Sequence, residues 1–237
     1  MNFISAELTK LALNSFVTTK ISFANSLARI CEKIKDTNVD TITDAIGCDE
    51  RIGKKYLSGA ISYGGPCFPR DNLALVTLCK KIKVPFNISN ATHNFNKAQV
   101  KWLANIVRSK IKGNKNVSIL GITYKVGSDV IEESPGLLLA NELLRSKLSL
   151  FVYDPIGLKN AKRILGTRVK YISNAIECIK KSHVIVVTLP DKKYKSIPLK
   201  KWGNKYAKNV VIDCWRILRN VKNKKNIEYI PLGIGNK

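Results

Sequence analysis

Apolar and polar positions along the first 112 residues repeat with the period of an α-helix. Apolar side chains between Leu8 and Ile30 recur every three or four residues, which predicts one long helix over about 5–34. The same period predicts further helices over about 38–47, 71–83 and 88–112. The stretch from Arg51 to Pro69 is rich in glycine and proline and predicts a loop. We therefore expect an all-helical domain over residues 1–112.

After the short polar linker Gly113–Asn116 the pattern changes to short apolar runs separated by helical stretches. The apolar runs are Val117–Tyr124, Leu148–Tyr153, Val169–Ile172, Val184–Leu189 and Val210–Asp213. The helical stretches lie at about 134–146, 158–165, 173–181 and 196–202. Strands that alternate with helices form a parallel sheet covered on both faces, and such sheets bind ligands at the carboxyl ends of their strands. The second domain, residues 113–237, is therefore expected to be α/β.

The turn after the first strand does not carry the glycine pattern of a dinucleotide site. A G-x-G-x-x-G fingerprint would begin directly after this strand. Here the strand runs into Gly121-Ile122-Thr123-Tyr124-Lys125-Val126-Gly127, in which the glycines have the wrong spacing. The alternation of strands and helices therefore predicts a fold class and not an NAD site.

Composition excludes several classes of protein. The chain has 237 residues, of which 45% are apolar and only 14 are glycine and 8 proline, so it is neither disordered nor collagen-like. No apolar run reaches the roughly 18 residues of a membrane-spanning helix. The N-terminus lacks the basic start and apolar core of a signal peptide, so we expect a cytoplasmic protein without a membrane partner.

The formal net charge of +24 leaves two interpretations open. Such a charge attracts anions, including nucleic acid, phosphates and acidic membranes. The basic residues are spread along the chain, and no RNA-recognition, zinc-finger or helix-turn-helix signature accompanies them. A solvated basic surface explains the charge as well, and nucleic-acid binding is the less favoured hypothesis.

The cysteine pattern does not indicate a metal site. The six cysteines are Cys31, Cys48, Cys67, Cys79, Cys178 and Cys214. None forms a C-x-x-C pair, and His93 and His183, the only histidines, do not stand at metal-ligand spacing from them. We expect no metal and free thiols in a reducing compartment.

Candidate chemistry lies in the segment from Tyr63 to Asp71. Two glycines, Gly64 and Gly65, allow the backbone to approach a ligand closely, and Cys67 follows them where a helix begins. The N-terminus of a helix favours a thiolate over a thiol, which suits a nucleophile. Asp71 stands four residues later, one helical turn away. The alternative is a tight Gly-Pro turn with a buried structural cysteine.

Lys10 and Asn14 form a second candidate pair. They are four residues apart on the first predicted helix and therefore lie on one face. A solvated lysine beside a surface asparagine is the alternative.

Taken together, these segments resemble the UDP-glucose/GDP-mannose dehydrogenase family. The resemblance rests on Ala6–Phe16, Asp49–Gly53, the loop Gly64–Asp71 with its motif Gly-Gly-x-Cys-Phe-x-x-Asp, Ile119–Lys125, Glu133–Pro135 and Tyr153–Pro155. It implies a helical central and dimerisation domain followed by a Rossmann-like parallel-sheet domain that binds UDP.

The resemblance also implies a reaction, the oxidation of a nucleotide sugar at C6 to a carboxylate in two NAD-dependent steps. Cys67 would attack the intermediate aldehyde and pass through a thiohemiacetal to a thioester, which water hydrolyses. Lys10 and Asn14 would stabilise oxyanions. Asp71 would position Cys67 or the water, or act as a base. Cys67 and Arg70 would also touch the cofactor.

The resemblance assigns further residues to the substrate. Those expected to bind it are Arg51, Tyr56, Leu57, Ser58, Tyr63, Gly64, Phe68, Tyr124, Lys125 and Arg216. In the family the residue at the position of Arg51 often acts on the neighbouring subunit, which implies a homodimer. The substrate would be UDP-glucose by default, with UDP-N-acetylhexosamines and GDP-mannose as open alternatives.

Three departures from the family pattern stand out. The family's NAD-binding domain, with its glycine fingerprint and a catalytic Glu and Thr, would precede this sequence, so NAD would bind mostly outside it. A fragment, a separate NAD-binding partner and a decayed gene are the three explanations. Glu132 stands where the family has an arginine. Cys214-Trp215-Arg216 stands where the family has Gly-Arg, so that Arg216 would take the role of the family's arginine from a position one residue later. A non-catalytic nucleotide-sugar-binding module is the alternative function.

Overall fold

The computed structural model describes residues 1–113, 115–203, 208–221 and 226–235. By spatial contacts the chain divides into two units, here named the helical unit and the sheet unit. The helical unit comprises Met1–Gln99 together with the segment that begins at Gly233, and the sheet unit comprises Val100–Leu232. The division falls earlier in the chain than the polar linker Gly113–Asn116.

The helices of the first half are those expected from the sequence. They are α1 (Phe3–Cys31), α2 (Val39–Gly47), α3 (Phe68–Lys81) and α4 (Asn87–Ser109). Asparagine side chains begin the first two: Asn2 accepts a hydrogen bond from the Ser5 amide, and Asn38 accepts one from the Asp40 amide. Among the described residues, no helix has both the length and the apolar character needed to cross a membrane.

The polarity of α1 is inverted relative to an ordinary surface helix. Its buried face is largely polar and includes Asn14, Ser15, Thr18, Ser22 and Asn25. Its exposed face carries large apolar side chains, with Phe16 68%, Phe23 53% and Ile30 52% exposed. The apolar period in the sequence therefore predicts the helix correctly but largely marks its outer face, because several residues of the inner face hydrogen-bond to polar side chains of α3 and α4 and to one loop.

The sheet unit contains a six-stranded sheet in which every neighbouring pair is parallel. Its strands are β1 (Asn116–Leu120), β2 (Ser149–Tyr153), β3 (Lys170–Tyr171), β4 (Val184–Val187), β5 (Asn209–Asp213) and β6 (Ile227–Pro231), in the spatial order β3-β2-β1-β4-β5-β6. The α-helices between them are α5 (Pro135–Leu144), α6 (Leu158–Leu165), α7 (Ala175–Lys180) and α8 (Lys192–Lys195). The expected fold class, a helical region followed by a parallel α/β sheet, is confirmed.

Two details of the sheet unit differ from the sequence prediction. Strand β6 was not predicted, because its run Ile-Glu-Tyr-Ile-Pro is short and its middle residues are only half-buried. The predicted helix over 196–202 is wrong. The chain forms α8 before this stretch and only a 3₁₀ turn, Leu199–Lys201, inside it, with Pro198 at the position before the turn.

Three glycines allow close packing at the carboxyl ends of β1 and β2. Gly121 follows β1 with a φ of +110°, which side-chain-bearing residues rarely adopt. A Cβ on Gly136, in the first turn of α5, would lie 2.0 Å from the Gly121 carbonyl oxygen, and one on Gly157 would lie 2.3 Å from the Thr123 Cγ2. Backbone segments are therefore closely packed at the carboxyl ends of these strands, which is where parallel sheets bind ligands.

Candidate active site

The Asp71 carboxylate contacts three polar or charged side chains of the helical unit. Asp71 lies in the first turn of α3 and is buried. The Asn14 amide Nδ2 donates to its Oδ2 at 2.6 Å, and the Lys10 Nζ lies 3.7 Å from the same oxygen. The Arg70 Nε lies 3.3 Å from Oδ1. The structure thus brings together Lys10, Asn14 and Asp71, three of the four residues expected to be catalytic.

The fourth, Cys67, is the residue at which α3 begins. Its thiol is exposed, and its carbonyl oxygen accepts the Asp71 amide at 2.8 Å. A helix N-terminus attracts negative charge, and Arg70 adds a cation one residue before Asp71. An exposed cysteine rules out the alternative of a buried structural thiol at this position.

Aromatic side chains surround the start of α3. The Phe68 ring makes edge-to-face contacts with Tyr56 and Tyr63, at centroid distances of 6.1 and 6.2 Å. Tyr63 is buried, and its hydroxyl accepts a hydrogen bond from the Asn72 Nδ2 at 2.8 Å. Burial raises the pKa of the Tyr63 phenol above its ordinary value, and hydrogen bonds with Asn72 and Thr18 offset only part of this rise.

The remaining expected substrate residues of the loop differ in exposure. Leu57 is buried, Gly64 is half-buried and Ser58 is exposed. Tyr56 is exposed and has a φ of +62°, a left-handed conformation that aromatic residues rarely adopt. Their roles toward a substrate stay predictions.

Arg51 lies in a turn that precedes the Cys67 loop, and it forms an ion pair with a residue of the same turn. Its guanidinium Nη2 lies 2.6 Å from the Asp49 Oδ2, and hydrogen bonds from Arg51 hold the pKa of Asp49 below its ordinary value. Lys20 of α1 donates through Nζ to the carbonyl oxygens of Ile52 at 2.8 Å and Gly53 at 3.1 Å. No contact found among the described residues joins Arg51 to Cys67.

In the sheet unit, Tyr124 and Lys125 follow the carboxyl end of β1, as expected. The Lys125 side chain is exposed, and its Nζ lies 5.3 Å from the centre of the Tyr124 ring. A cation above an aromatic face at the ligand edge of a parallel sheet suits a nucleotide.

The Asp154 carboxylate fills the turn that a dinucleotide would need. It follows β2, and its Oδ2 accepts from the Ile122 amide at 2.8 Å and from the Thr123 amide and hydroxyl at 3.0 Å. Its Oδ1 accepts from the Ile156 and Gly157 amides. The amides that would bind a pyrophosphate are therefore already occupied, and this turn does not fit the pyrophosphate of NAD.

Arg216 lies where the sequence places it, after β5, but its guanidinium is turned inward. Its Nη1 donates to the Leu232 carbonyl oxygen at 2.8 Å, and the side chain is buried. The neighbouring Trp215 donates through Nε1 to the Thr188 carbonyl oxygen at 2.9 Å. Both residues line a cleft of about 480 Å³, together with Lys195 and Arg219. The role expected of Arg216 toward a ligand stays a prediction.

Motifs in the sequence did not reveal Asn72, Thr18 or Lys20. Each is a polar residue inside or beside a helix, where periodicity predicts only the helix. For Thr18 the one available signal was the series of polar residues along α1, which the structure shows to be its buried face.

Comparison with known proteins identifies relatives over nearly the whole chain. The family model described as UDP-glucose/GDP-mannose dehydrogenase family, central domain, matches residues 4–98, and that family's UDP binding domain matches residues 118–220. A UDP-glucose 6-dehydrogenase of Rickettsia prowazekii is 34% identical over 98% of this chain, and TuaD, a UDP-glucose 6-dehydrogenase of Bacillus subtilis, is 31% identical over 99%. These matches cover 54% and 51% of the two relatives.

A solved structure agrees with the fold. The UDP-glucose dehydrogenase of Pyrobaculum islandicum superposes with a TM-score of 0.87 at 25% identity, over 99% of this chain and 52% of its own. The chain therefore spans about half the length of the relatives that it matches.

Proposed function

Because the chain belongs to the UDP-glucose/GDP-mannose dehydrogenase family, we propose that it is the substrate-binding part of a nucleotide-sugar 6-dehydrogenase. The observation that carries the proposal is the convergence of Lys10 and Asn14 on Asp71, one helical turn from the exposed Cys67. UDP-glucose is the proposed substrate, since the named relatives are UDP-glucose 6-dehydrogenases.

Cys67 acts on the aldehyde that the first oxidation leaves at C6. Its sulfur forms a bond to the carbonyl carbon, and the C=O electron pair moves onto oxygen, which gives a thiohemiacetal. Lys10 and the second N–H of Asn14 stabilise the developing oxyanion, and Asp71 holds both donors in place. Loss of a hydride from C6 of the thiohemiacetal and of the proton on its oxygen gives the thioester. Water then adds to the acyl carbon, one of its protons goes to the departing sulfur and the other to solvent, and the products are the carboxylate and the Cys67 thiol.

NAD is the proposed hydride acceptor, held by the NAD-binding domain that the family resemblance implies outside this sequence. The turn after β1 does not fit its pyrophosphate, so we propose that the two oxidations need an NAD-binding domain from elsewhere. This same observation favours one alternative, a nucleotide-sugar-binding module that does not catalyse.

We also propose that the chain forms a homodimer through α1. Phe16, Phe23 and Ile30 are seven residues apart and exposed, and so form one apolar stripe along the helix. Exposed apolar side chains that repeat along one helix face are typical of a protein interface.

The test is calorimetric titration of the chain with UDP-glucose and, separately, with NAD. We expect saturable binding of UDP-glucose and none of NAD. Lys125→Ala should weaken UDP-glucose about 10- to 100-fold, the effect of losing a charged hydrogen bond. Lys181→Ala is the matched control, because Lys181 is an exposed lysine that precedes β4 and lies at the opposite edge of the sheet.

Two results would contradict the proposal: a folded chain that does not bind UDP-glucose, or equal weakening by the two substitutions. Turnover after addition of an NAD-binding domain, lost in Cys67→Ser, separates the dehydrogenase from the binding module.

A further inference from the structure

The loop Ser58–Pro66, which leads into Cys67, is largely buried but has no regular secondary structure. Among the described residues, none of its backbone groups bonds to another backbone group. Buried amides and carbonyls without partners are costly, so side chains must supply them.

Asn25, on the buried face of α1, supplies the first pair of hydrogen bonds. Its Oδ1 accepts from the Ala60 amide and its Nδ2 donates to the Ile61 carbonyl oxygen, both at 2.7 Å. The loop approaches α1 so closely here that a Cβ on Gly59 would lie 2.4 Å from the Ala24 carbonyl oxygen.

Asn96, on α4, supplies the second pair. Its Oδ1 accepts from the Tyr63 amide at 2.8 Å, and its Nδ2 donates to the Tyr63 carbonyl oxygen at 3.0 Å. Asn72 of α3 bonds to the hydroxyl of the same tyrosine. Tyr63 is therefore held at its backbone by one helix and at its side chain by another.

We propose that Asn25 and Asn96 are positioning residues, which hold the loop so that Cys67 stays at the N-terminus of α3, one helical turn before Asp71. The inference rests on the proposed function in one respect, that Cys67 is the nucleophile.

Side-chain amides suit this task because each offers a donor and an acceptor in one plane. Only Gly64, Gly65 and Pro66 separate Tyr63 from Cys67, and two of these are glycines, which adopt many backbone conformations. Local stiffness therefore cannot set the path into α3. The asparagines set it from outside the loop.

The chain has two exposed cysteines, so the reaction rate of one can serve as the internal reference for the other. Cys67 stands at the N-terminus of α3, which attracts negative charge, whereas Cys48 stands at the C-terminus of α2, which repels it. Alkylation by iodoacetamide, followed at each cysteine by mass spectrometry, should be faster at Cys67. Asn96→Ala should lower the ratio of the Cys67 to the Cys48 rate about two- to fivefold, as the first turn of α3 frays.

Hydrogen exchange is the second readout. In Asn96→Ala the Tyr63 amide should exchange faster, and in Asn25→Ala the Ala60 amide should do so. Thr92→Val is the matched control, since Thr92 is buried on α4, one turn before Asn96, and its hydroxyl contacts Thr19 rather than the loop. It should change neither readout.

The proposal is overturned if Asn96→Ala folds with the wild-type rate ratio, or if Thr92→Val lowers the ratio equally. Should Asn96→Ala not fold, Asn96→Asp replaces it, because the aspartate keeps an acceptor for the Tyr63 amide and places a second oxygen against the Tyr63 carbonyl. The same fall in ratio is expected. Failure of both variants to fold would also overturn the proposal, because Asn96 would then support the whole unit. No nucleotide sugar enters this experiment, so its outcome is independent of the titration.

Discussion

At the scale of single residues, both oxygens of the buried Asp71 carboxylate have polar or charged partners. Asp71 receives Asn14 and Lys10 at Oδ2 and Arg70 at Oδ1, and Asn14 is the only one of the three donors that is itself buried. A buried carboxylate that loses such a partner is left with an unmet hydrogen bond.

Asn14→Ala should therefore lower the free energy of unfolding by about 1–3 kcal/mol. Urea unfolding followed by circular dichroism measures this change. Asn90→Ala, at an exposed asparagine of α4, is the control and should change the stability by less than about 0.5 kcal/mol. Equal stabilities for the two variants would show that the Asn14–Asp71 bond contributes nothing to stability.

Residues that belong to a sequence motif could be predicted, whereas residues that hold the motif in place could not. Cys67 and Asp71 lie in one short segment, and Lys10 and Asn14 share a helix face, so sequence order alone groups each pair. Asn25 bonds to a loop 35 residues further along the chain. Nothing in a helical repeat distinguishes such a residue from a solvated asparagine.

At the scale of elements, continuous apolar runs predicted the buried strands. Every residue of β4 and of β5 is buried, so their sequences show a simple signal. β6 pairs with β5 alone at the edge of the sheet and includes Glu228, whose carboxylate pairs with Lys110 at 2.6 Å. A half-exposed edge strand of five residues has no comparable pattern.

The packing of α5 against the end of β1 gives a prediction at this scale. Gly136→Ala should destabilise the sheet unit by about 1–3 kcal/mol, because the added methyl group meets the Gly121 carbonyl oxygen, a backbone atom. Gly203→Ala is the control, since the nearest atom to its Cβ would be 3.5 Å away. Thermal unfolding of both variants decides the matter, and similar midpoints would contradict the packing argument.

At the scale of the whole molecule, an apolar stripe and a large charge act in opposite directions. The stripe on α1 favours association, whereas a net charge of +24 makes two copies repel each other. Added salt screens the repulsion and leaves the apolar contact intact, so the proposed dimer should be tighter at about 0.15 M ionic strength than at about 0.01 M.

Phe16→Asp should convert the proposed dimer to a monomer, raising the dissociation constant about 30-fold or more if Phe16 is a central contact. Sedimentation velocity at several protein concentrations measures this. Phe86→Asp is the control, because Phe86 is also an exposed phenylalanine but lies outside α1. A wild-type chain that sediments as a monomer at high concentration would refute the dimer.

The segment that begins at Gly233 has a consequence for the order of folding during synthesis. Gly233 accepts the Val39 amide and donates to the Glu32 side chain, and Gly235 exchanges backbone bonds with Asp36 and Thr37. The helical unit is thus completed by residues that the ribosome adds after the whole sheet unit. The usual rule that the N-terminal part folds first cannot hold in full. The end of α1 that these residues contact therefore stays uncovered until the last strand has been translated.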